Sequence, residues 1–236
     1  MKTSLRAKRS NPDTRLIVAL DVDSLKKAKT LVDALYPTVK IFKIGKQLFT
    51  KEGPKAIEMV HKRGAKVFLD LKFHDIPNTV KQSIESVISM GVFMTNIHAS
   101  GGKEMMLAAR KAKKGKKTPI LLGVTVLTSM DKKALKQVGI NASPKNQVKR
   151  LALLAKSVKL DGVVSSAQEI SLIRKACGKK FIIATPGIRK NKAKKFDQKR
   201  VQTPEYAFKE GADYIVVGRP ITQAENPLRA AKDFLN

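Results

Sequence analysis

Three ionisable side chains, Asp70, Lys72 and Asp75, stand close together where a largely apolar segment, residues 65–71, comes to an end. If this segment is a strand, Asp70 and Lys72 project from the same face because they are two residues apart. Asp75 falls in the turn before a helix that we predict to begin near Pro77. Clustered charges are costly to bury unless they pair, and such clusters often perform acid–base chemistry. A structural ion pair with a helix-capping carboxylate would give the same pattern, so the triplet alone leaves both interpretations open.

The segments around this triplet alternate between two patterns. Apolar, β-branched runs typical of buried parallel strands are separated by amphipathic stretches typical of helices. We predict strands over residues 16–20, 39–44, 65–71, 92–97, 119–126, 162–165, 180–184 and 214–217, and helices over residues 25–35, 54–62, 79–89, 103–114, 144–156 and 167–176. Eight strands alternating with helices predict an α/β fold, the (β/α)8 TIM barrel. An open doubly wound sheet is disfavoured because no Gly-x-Gly-x-x-Gly follows the first strand.

Length and composition fit a single barrel domain. The chain has 236 residues, and a (β/α)8 barrel typically needs about 250. Hydrophobic residues make up 42% of the chain, but Trp is absent and aromatic residues are only 5%, so the core must consist of Val, Ile, Leu and Ala. No segment suggests a linker. We therefore predict one barrel domain over residues 14–236, preceded by a basic, frayed N-terminal arm over residues 1–13.

The sequence also indicates where the protein resides. No apolar stretch approaches the roughly 20 residues that span a bilayer, which predicts that the protein has no membrane partner. The N-terminus lacks the apolar region of a secretory signal. The single cysteine, Cys177, cannot form an intramolecular disulfide, as is usual in a reducing compartment. We predict a cytoplasmic protein.

The chain is strongly basic, with 48 Lys and Arg against 19 Asp and Glu and a formal net charge of +29. Basic residues cluster within residues 111–117 and 190–200. Such an excess raises the question of nucleic-acid binding, but no zinc-finger spacing or aromatic RNA-binding motif accompanies it. The pattern favours a solvated lysine-rich surface. A polyanion-binding surface stays open as the alternative, and it predicts binding that weakens steeply with salt.

Polar residues follow several of the predicted strands, at the end where barrel enzymes hold their active sites. They are Asp21, Lys43, Asp70, Lys72, Asp75, Asn96, His98, Thr128 and Ser129. After the seventh and eighth strands come a Thr-Pro-Gly-Ile-Arg segment and a Gly-Arg-Pro segment. Barrels often bind phosphate in these two loops, where glycine allows close backbone approach and Arg189 and Arg219 could donate to phosphate oxygens. The positions together predict an active site with a phosphate-binding end.

The same positions carry a resemblance to a known family. The blocks are VALD (18–21), FKIG (42–45), DLKFHDIPNTV (70–80), HASGG (98–102), LTS (127–129), TPGIR (185–189), DQKR (197–200) and VGRPIT (217–222). In this order they resemble the bacterial orotidine 5'-phosphate decarboxylases, which catalyse the last step of de novo UMP synthesis. The resemblance implies a (β/α)8 barrel that needs neither cofactor nor metal. It also implies a homodimer with active sites at the subunit interface and a nucleotide monophosphate as substrate.

Residue roles follow from the resemblance, position by position. Lys72 would donate the proton to C6 of the pyrimidine. Asp70 and Asp75 would flank it, with Asp75, Ile76 and Thr79 completing the partner subunit's site. Lys43, counted with the catalytic charges, would hold ribose hydroxyls together with Asp21. The remaining substrate contacts would come from Thr128 and Ser129 at the pyrimidine, from Arg189, Gln198, Gly218 and Arg219 at the phosphate, and from Pro186. A lid over residues 190–196 would close on the site.

Two alternatives remain open. One is a magnesium-dependent sugar-phosphate decarboxylase or aldolase, such as 3-keto-gulonate-6-phosphate decarboxylase or hexulose-6-phosphate synthase, which share the Asp-x-Lys-x-x-Asp block. Those enzymes place a glutamate metal ligand at the end of the second strand, where this chain has Lys43. A cation there argues against a metal. The other alternative is a nucleic-acid-binding role, which would leave the residues at the strand ends unexplained.

Overall fold

A computed structural model describes residues 15–115, 119–190 and 202–235 of the chain. Eight parallel strands, each hydrogen-bonded to the next and the last to the first, close into a barrel in sequence order. They are β1 Leu16–Ala19, β2 Ile41–Gly45, β3 Lys66–Phe73, β4 Met94–His98, β5 Ile120–Val124, β6 Gly162–Val164, β7 Ile182–Thr185 and β8 Tyr214–Val217. The predicted (β/α)8 barrel is confirmed, and all eight predicted strands are present with ends that differ by a few residues.

Helices surround the barrel. They are α1 Leu25–Leu35, α2 Lys46–Glu52, α3 Lys55–Lys62, α4 Pro77–Ser89, α5 Gly102–Ala112, α6 Lys132–Gln137, α7 Pro144–Ser157, α8 Ile170–Cys177, α9 Pro204–Glu210, α10 Arg219–Thr222 and α11 Pro227–Asp233. The helix predicted over residues 167–176 is a short 3-10 turn followed by α8. Five short helices, α2, α6, α9, α10 and α11, were not predicted because each has at most seven residues, too few for the helical period to show.

Local sequence explains how the longer helices begin. Ser24 precedes α1, and its hydroxyl accepts a hydrogen bond from the Lys27 amide. Ser143 does the same for the Asn146 amide at the start of α7, where Pro144 supplies the backbone angle that a first helical residue needs. Such caps satisfy amides that have no partner within the helix. The strands are thereby linked by helices with fixed starting points.

Two apolar layers hold the barrel. The larger one lies between the strands and the helices, and the smaller fills the barrel itself. The interior layer consists of Ile17, Ala19, Ile41, Phe68, Met94, Ile120, Leu122, Val124, Val164, Ile182, Ala184 and Val216. These residues recur at every second position of a strand, as expected when alternate side chains point into a barrel. The interior is therefore packed, and any site must lie at one of its ends.

None of the helices within the described residues is long and apolar enough to cross a membrane. Nearly all of the predicted barrel domain lies within the described ranges. The predicted N-terminal arm, residues 1–13, lies outside them, as does most of the predicted lid.

Candidate active site

At the carboxyl end of the barrel, the inward-facing positions of the first three strands change from apolar to charged residues. Ala19 is followed two residues later by Asp21, Ile41 by Lys43, and Phe68 by Asp70. Each charged residue thus takes the next inward-facing position above the apolar filling. A cavity of about 510 Å³ opens there. Its walls include Asp21, Lys43, Gln47, Asp70, Lys72, Thr128, Ser165, Ser166, Pro186, Gly187, Arg189, Gly218, Arg219 and Gln223.

Four of these side chains form a line of alternating charge. Lys43 Nζ lies 2.9 Å from Asp21 Oδ1 and 3.4 Å from Asp70 Oδ2. Asp70 Oδ1 in turn lies 2.7 Å from Lys72 Nζ. Asp70 and Lys43 are each only 8% exposed, and the formal charges of the four groups sum to zero. Burial of Lys43 and Asp70 is tolerable because each buried charge faces an opposite one.

Lys43 and Asp70, the two buried residues of the charged line, stabilise each other's charged form. Burial alone would lower the pKa of Lys43, but Asp70 and Asp21 outweigh it and raise the pKa above its ordinary value. Burial likewise would raise the pKa of Asp70, but Lys43 and Lys72 hold it below its ordinary value. Both groups therefore stay ionised at neutral pH.

The backbone at Lys72 is irregular, and this aims its side chain. The pairing of β3 with β4 shifts register between Leu69 and Phe73, and Lys72 has a left-handed φ of 52°. Asn96, which is fully buried on β4, accepts a hydrogen bond from the Lys72 amide at 2.9 Å and donates one to Asp70 Oδ1 at 2.6 Å. One amide side chain thus holds both the backbone of Lys72 and the carboxylate that pairs with its ammonium group.

Gly45 ends β2 beside the charged line. A Cβ atom built on it would lie 2.8 Å from Lys43 Nζ and 3.0 Å from Asp21 Oδ1. Any larger residue would therefore push the Lys43 ammonium group away from its carboxylate partner. Glycine at this position therefore leaves room for the ion pair between Lys43 and Asp21.

Residues predicted from the sequence to bind phosphate follow β7 and β8. Gly187, with a left-handed φ of 78°, and Arg189 follow β7, which is four strands away from β3 in the closed barrel and so stands opposite Lys72. Gly218 and Arg219 follow β8, which pairs with β1, and a Cβ atom built on Gly218 would lie 3.6 Å from Asp21 Oδ2. All four line the cavity. The cavity thus contains two arginines in addition to the line of alternating charge.

Comparison with known proteins agrees with this geometry. A model of the Orotidine 5'-phosphate decarboxylase / HUMPS family matches residues 14–234. The chain belongs to this family. The chain is 53% identical to the orotidine 5'-phosphate decarboxylase of Saccharophagus degradans over 94% of each protein. It is 52% identical to that of Aliivibrio fischeri strain MJ11, over 94% of this chain and 96% of the other.

Solved structures of the orotidine 5'-phosphate decarboxylase family share the fold. The crystal structure of the orotidine 5'-phosphate decarboxylase from Lactobacillus acidophilus superimposes with a TM-score of 0.83 at 35% sequence identity, covering 94% of this chain and 97% of the other. An uncharacterised conserved protein from Geobacillus kaustophilus gives a TM-score of 0.82 at 36% identity, covering 94% of this chain and all of the other.

Most of the residues that the family resemblance singled out meet in the cavity. These are Asp21, Lys43, Asp70, Lys72, Thr128, Pro186, Arg189, Gly218 and Arg219. Asp75, Ile76, Thr79 and Ser129 do not line it, and Gln198 lies outside the described residues. Among the described residues, Lys72 forms an ion pair with Asp70, while Lys43 pairs with Asp21 and Asp70. The Asp75 carboxylate accepts a hydrogen bond from the Ile76 amide, and its contact with the partner subunit's site stays a prediction.

Some cavity residues had no role in the sequence-based interpretation. Gln47, Ser165, Ser166 and Gln223 line the walls, and Asn96 lies behind Asp70. Asn96 had a detectable signal, because a polar residue inside an apolar strand must find a buried partner. His98, at the end of β4, does not line the cavity; its ring lies 5.3 Å from that of His74. Burial, with His74 and nearby lysines, lowers the pKa of His98 to about 4.

Proposed function

We propose that the protein converts orotidine 5'-monophosphate to uridine 5'-monophosphate and CO2. The observation that carries this proposal is the line Asp21–Lys43–Asp70–Lys72, which ends in an ammonium group inside a cavity that Arg189 and Arg219 also line. A ligand with an anionic ring at one end and a phosphate at the other matches this distribution. The curated relatives named above are orotidine 5'-phosphate decarboxylases.

Lys72 is proposed to supply the charge and the proton that the reaction needs. When the bond between C6 and the carboxyl carbon breaks, its electron pair stays on C6 and CO2 departs. A preformed cation beside C6 stabilises that developing charge without reorganising first. The Lys72 ammonium group then gives one N–H proton to C6, forming the C–H bond of the product, and recovers a proton from solvent. Asp70, 2.7 Å away, keeps the ammonium group in one orientation.

Lys43 and Asp21 are proposed to bind the ribose hydroxyls. The Lys43 Nζ atom is held by two carboxylates, and Asp21 is the more exposed of them, with 49% of its side chain accessible. A carboxylate at the cavity surface can accept hydrogen bonds from a diol while its lysine partner donates to one. The pyrimidine would then lie near Thr128 and Ser129.

The phosphate is proposed to bind Arg189, Gln198, Gly218 and Arg219, far from the reacting carbon, and Pro186 is proposed as a further substrate contact. Guanidinium groups donate to phosphate oxygens in a fixed fork, which orients the nucleotide. Binding energy released there can hold the ring against Lys72 and so lower the barrier remotely. Closure of the lid over residues 190–196 is part of this proposal.

A homodimer is proposed to complete the site. Ile76 is 66% exposed, and Asp75 and Thr79 are exposed beside it at the start of α4. A large apolar side chain that is exposed at the start of a helix, as Ile76 is, is typical of a subunit contact. From there Asp75, Ile76 and Thr79 would reach the partner's cavity, and Asp75 would supply the second carboxylate near the partner's Lys72. We also propose that the protein works in the cytoplasm, since its cysteine, Cys177, is buried and unpaired.

A magnesium-dependent reaction of the same family is disfavoured by the chemistry of the side chains. Lys43 occupies the end of β2, and its ammonium group lies between Asp21 and Asp70. Both carboxylates that a cation would need are therefore already paired with lysine. A divalent ion there would face an adjacent positive charge.

The test is an absorbance assay. Purified protein is mixed with orotidine 5'-monophosphate in EDTA, and the loss of orotate absorbance is followed as uridine 5'-monophosphate forms. We expect rapid loss with the natural chain and almost none with Lys72→Ala. Lys26→Gln, which removes an exposed lysine charge on α1, serves as the control and should keep full activity. A folded protein that leaves the nucleotide intact but acts on sugar phosphates with Mg²⁺ would overturn the proposal.

A further inference from the structure

A second cavity, of about 400 Å³, lies at the opposite end of the barrel from the active site. It is enclosed by the last turn of α5, the residues just after α7, and the starts of β5 and β6. Its lining consists of Arg110, Lys111, Lys113, Lys114, Gly115, Leu121, Lys159, Leu160 and Asp161. We call it the basal cavity. Five of these nine residues are cationic and one is acidic, so its charge differs sharply from that of the active site.

The floor of the basal cavity is a fixed ion pair. Lys113 is 7% exposed, and its Nζ atom lies 2.6 Å from Asp161 Oδ2. The same oxygen accepts a hydrogen bond from the Leu121 amide at 2.7 Å. Asp161, the one carboxylate among the described lining residues, is thus already engaged by a lysine and by the backbone of β5. The Lys113–Asp161 pair has no net charge, so it does not neutralise the other four cations of the lining.

Four cations surround this floor. Arg110, Lys111, Lys114 and Lys159 are all exposed, and none of them forms an ion pair with a carboxylate among the described residues. Lysines near a helix C-terminus offset the helix dipole, which is equivalent to about half a negative charge at that end. The two helices that end here account for about one charge in total. Roughly three positive charges therefore remain, and they repel one another unless an anion binds.

Two of the four cations occupy backbone positions that suit glycine better. Lys114 has a φ of 45° and Lys159 a φ of 60°, in the left-handed region that costs a lysine free energy. These are two of the three left-handed residues other than glycine within the described residues, and the third is Lys72. The lysine side chains are thus held at the rim of the basal cavity despite an unfavourable backbone conformation.

The rest of the lining indicates what kind of anion would fit. The described lining of the basal cavity contains no aromatic side chain on which a nucleotide base could stack. Its apolar part is limited to Leu121 and Leu160. A volume of about 400 Å³ accommodates a chain of a few phosphate groups, and the surplus positive charge matches that of a multiply charged anion. We propose that the basal cavity binds a short chain of linked phosphates, of the size of inorganic tripolyphosphate.

The test is a calorimetric titration of the full-length protein with sodium tripolyphosphate at constant ionic strength, with and without saturating uridine 5'-monophosphate. The double variant Lys114→Gly/Lys159→Gly removes two of the four cations and suits the left-handed backbone, so it should fold. We expect its affinity for tripolyphosphate to fall at least about tenfold at low salt. The control, Lys26→Gln/Lys145→Gln, removes two exposed lysines outside the basal cavity and so matches the change in net charge.

Three results would overturn the proposal. The first is the same loss of affinity in both double variants, since that would reflect net charge alone. The second is complete displacement of tripolyphosphate by uridine 5'-monophosphate, since that would place it in the active site. The third is tighter binding of a single-stranded RNA oligonucleotide through Lys114 and Lys159, since that would make this end a nucleic-acid surface. Decarboxylation by Lys114→Gly/Lys159→Gly should equal that of the natural chain, and this separates the basal cavity from the proposed function.

Discussion

The two ends of the barrel each contain a buried lysine paired with an aspartate, but they use the pair differently. At the active site, the donors that Asp70 receives from the described residues are all side chains, those of Lys43, Lys72 and Asn96. At the basal cavity, Asp161 divides its contacts between Lys113 and the Leu121 amide. Asp70 connects side chains of the active site, whereas Asp161 links Lys113, just after α5, to the start of β5. A buried Lys–Asp pair therefore does not indicate a reactive site by itself; the remaining donors on the carboxylate do.

The largest expected effect tests the active-site side of this comparison. Lys72→Ala removes the residue proposed to be both the proton donor and the cation beside C6, so kcat for orotidine 5'-monophosphate should fall by about 10⁴-fold or more. Stopped-flow or steady-state absorbance measures it, with circular dichroism as the check on folding. A variant that retained most of its kcat would show that the Asp70–Lys72 pair is as structural as the one at the other end.

The matching change at the basal end should affect stability instead. Lys113→Met keeps the length of the buried stem but leaves Asp161 without its cation, and we expect the free energy of unfolding to fall by about 2 kcal/mol. The kcat of the folded protein should change by no more than about twofold, because Asp161 lies far from the cavity that binds substrate. Urea unfolding together with the absorbance assay separates the two effects. A large loss of kcat without loss of stability would remove the distinction between the two pairs.

A smaller effect should follow from crowding the charged line. In Gly45→Ala the new methyl group would stand 2.8 Å from Lys43 Nζ, so the ammonium group must move away from Asp21. Displacement of a positioning group by a fraction of an ångström typically lowers activity, and we expect kcat/KM to fall about 10- to 100-fold. Because the clash is with the end of a flexible side chain, the melting temperature should change little. Unchanged kcat/KM would mean that Lys43 need not stay between its carboxylates.

The smallest effect concerns acid. The pKa of His98 is about 4 in the folded protein, because of burial, His74, Lys46 and Lys72, and about 6.5 in an unfolded chain. Between these values the unfolded chain binds more protons, so the free energy of unfolding decreases as pH falls from about 6.5 to 4. His98→Gln should reduce this decrease by on the order of 1 kcal/mol, allowing for partial exposure. Urea unfolding at pH 7 and pH 4.5 measures it. His61, whose pKa burial also lowers, is present in both proteins and cancels.

The sequence was sufficient to predict the barrel and most of the charged residues that line the cavity. Strand alternation places Asp21, Lys43 and Asp70 on inward-facing positions, and this follows from a period of two residues alone. The position of Asn96 against Lys72 could not be predicted, because it depends on a register shift between β3 and β4 that no local pattern encodes. The pairing of Lys113 with Asp161 joins residues 48 positions apart and was equally invisible. The prediction for Gln198 stays a prediction, since it lies outside the described residues.

Because the backbone at Lys72 is left-handed, the residue that would be most stable at this position is not the one that the proposed reaction needs. Glycine would adopt a φ of 52° at lower free-energy cost than lysine, so Lys72→Gly relieves backbone strain while it deletes the proposed proton donor. A search for thermostable variants that ignored activity would therefore favour a substitution that we expect to abolish decarboxylation. For protein engineering, this position should be held fixed, and stabilising changes should be sought on the outer helices.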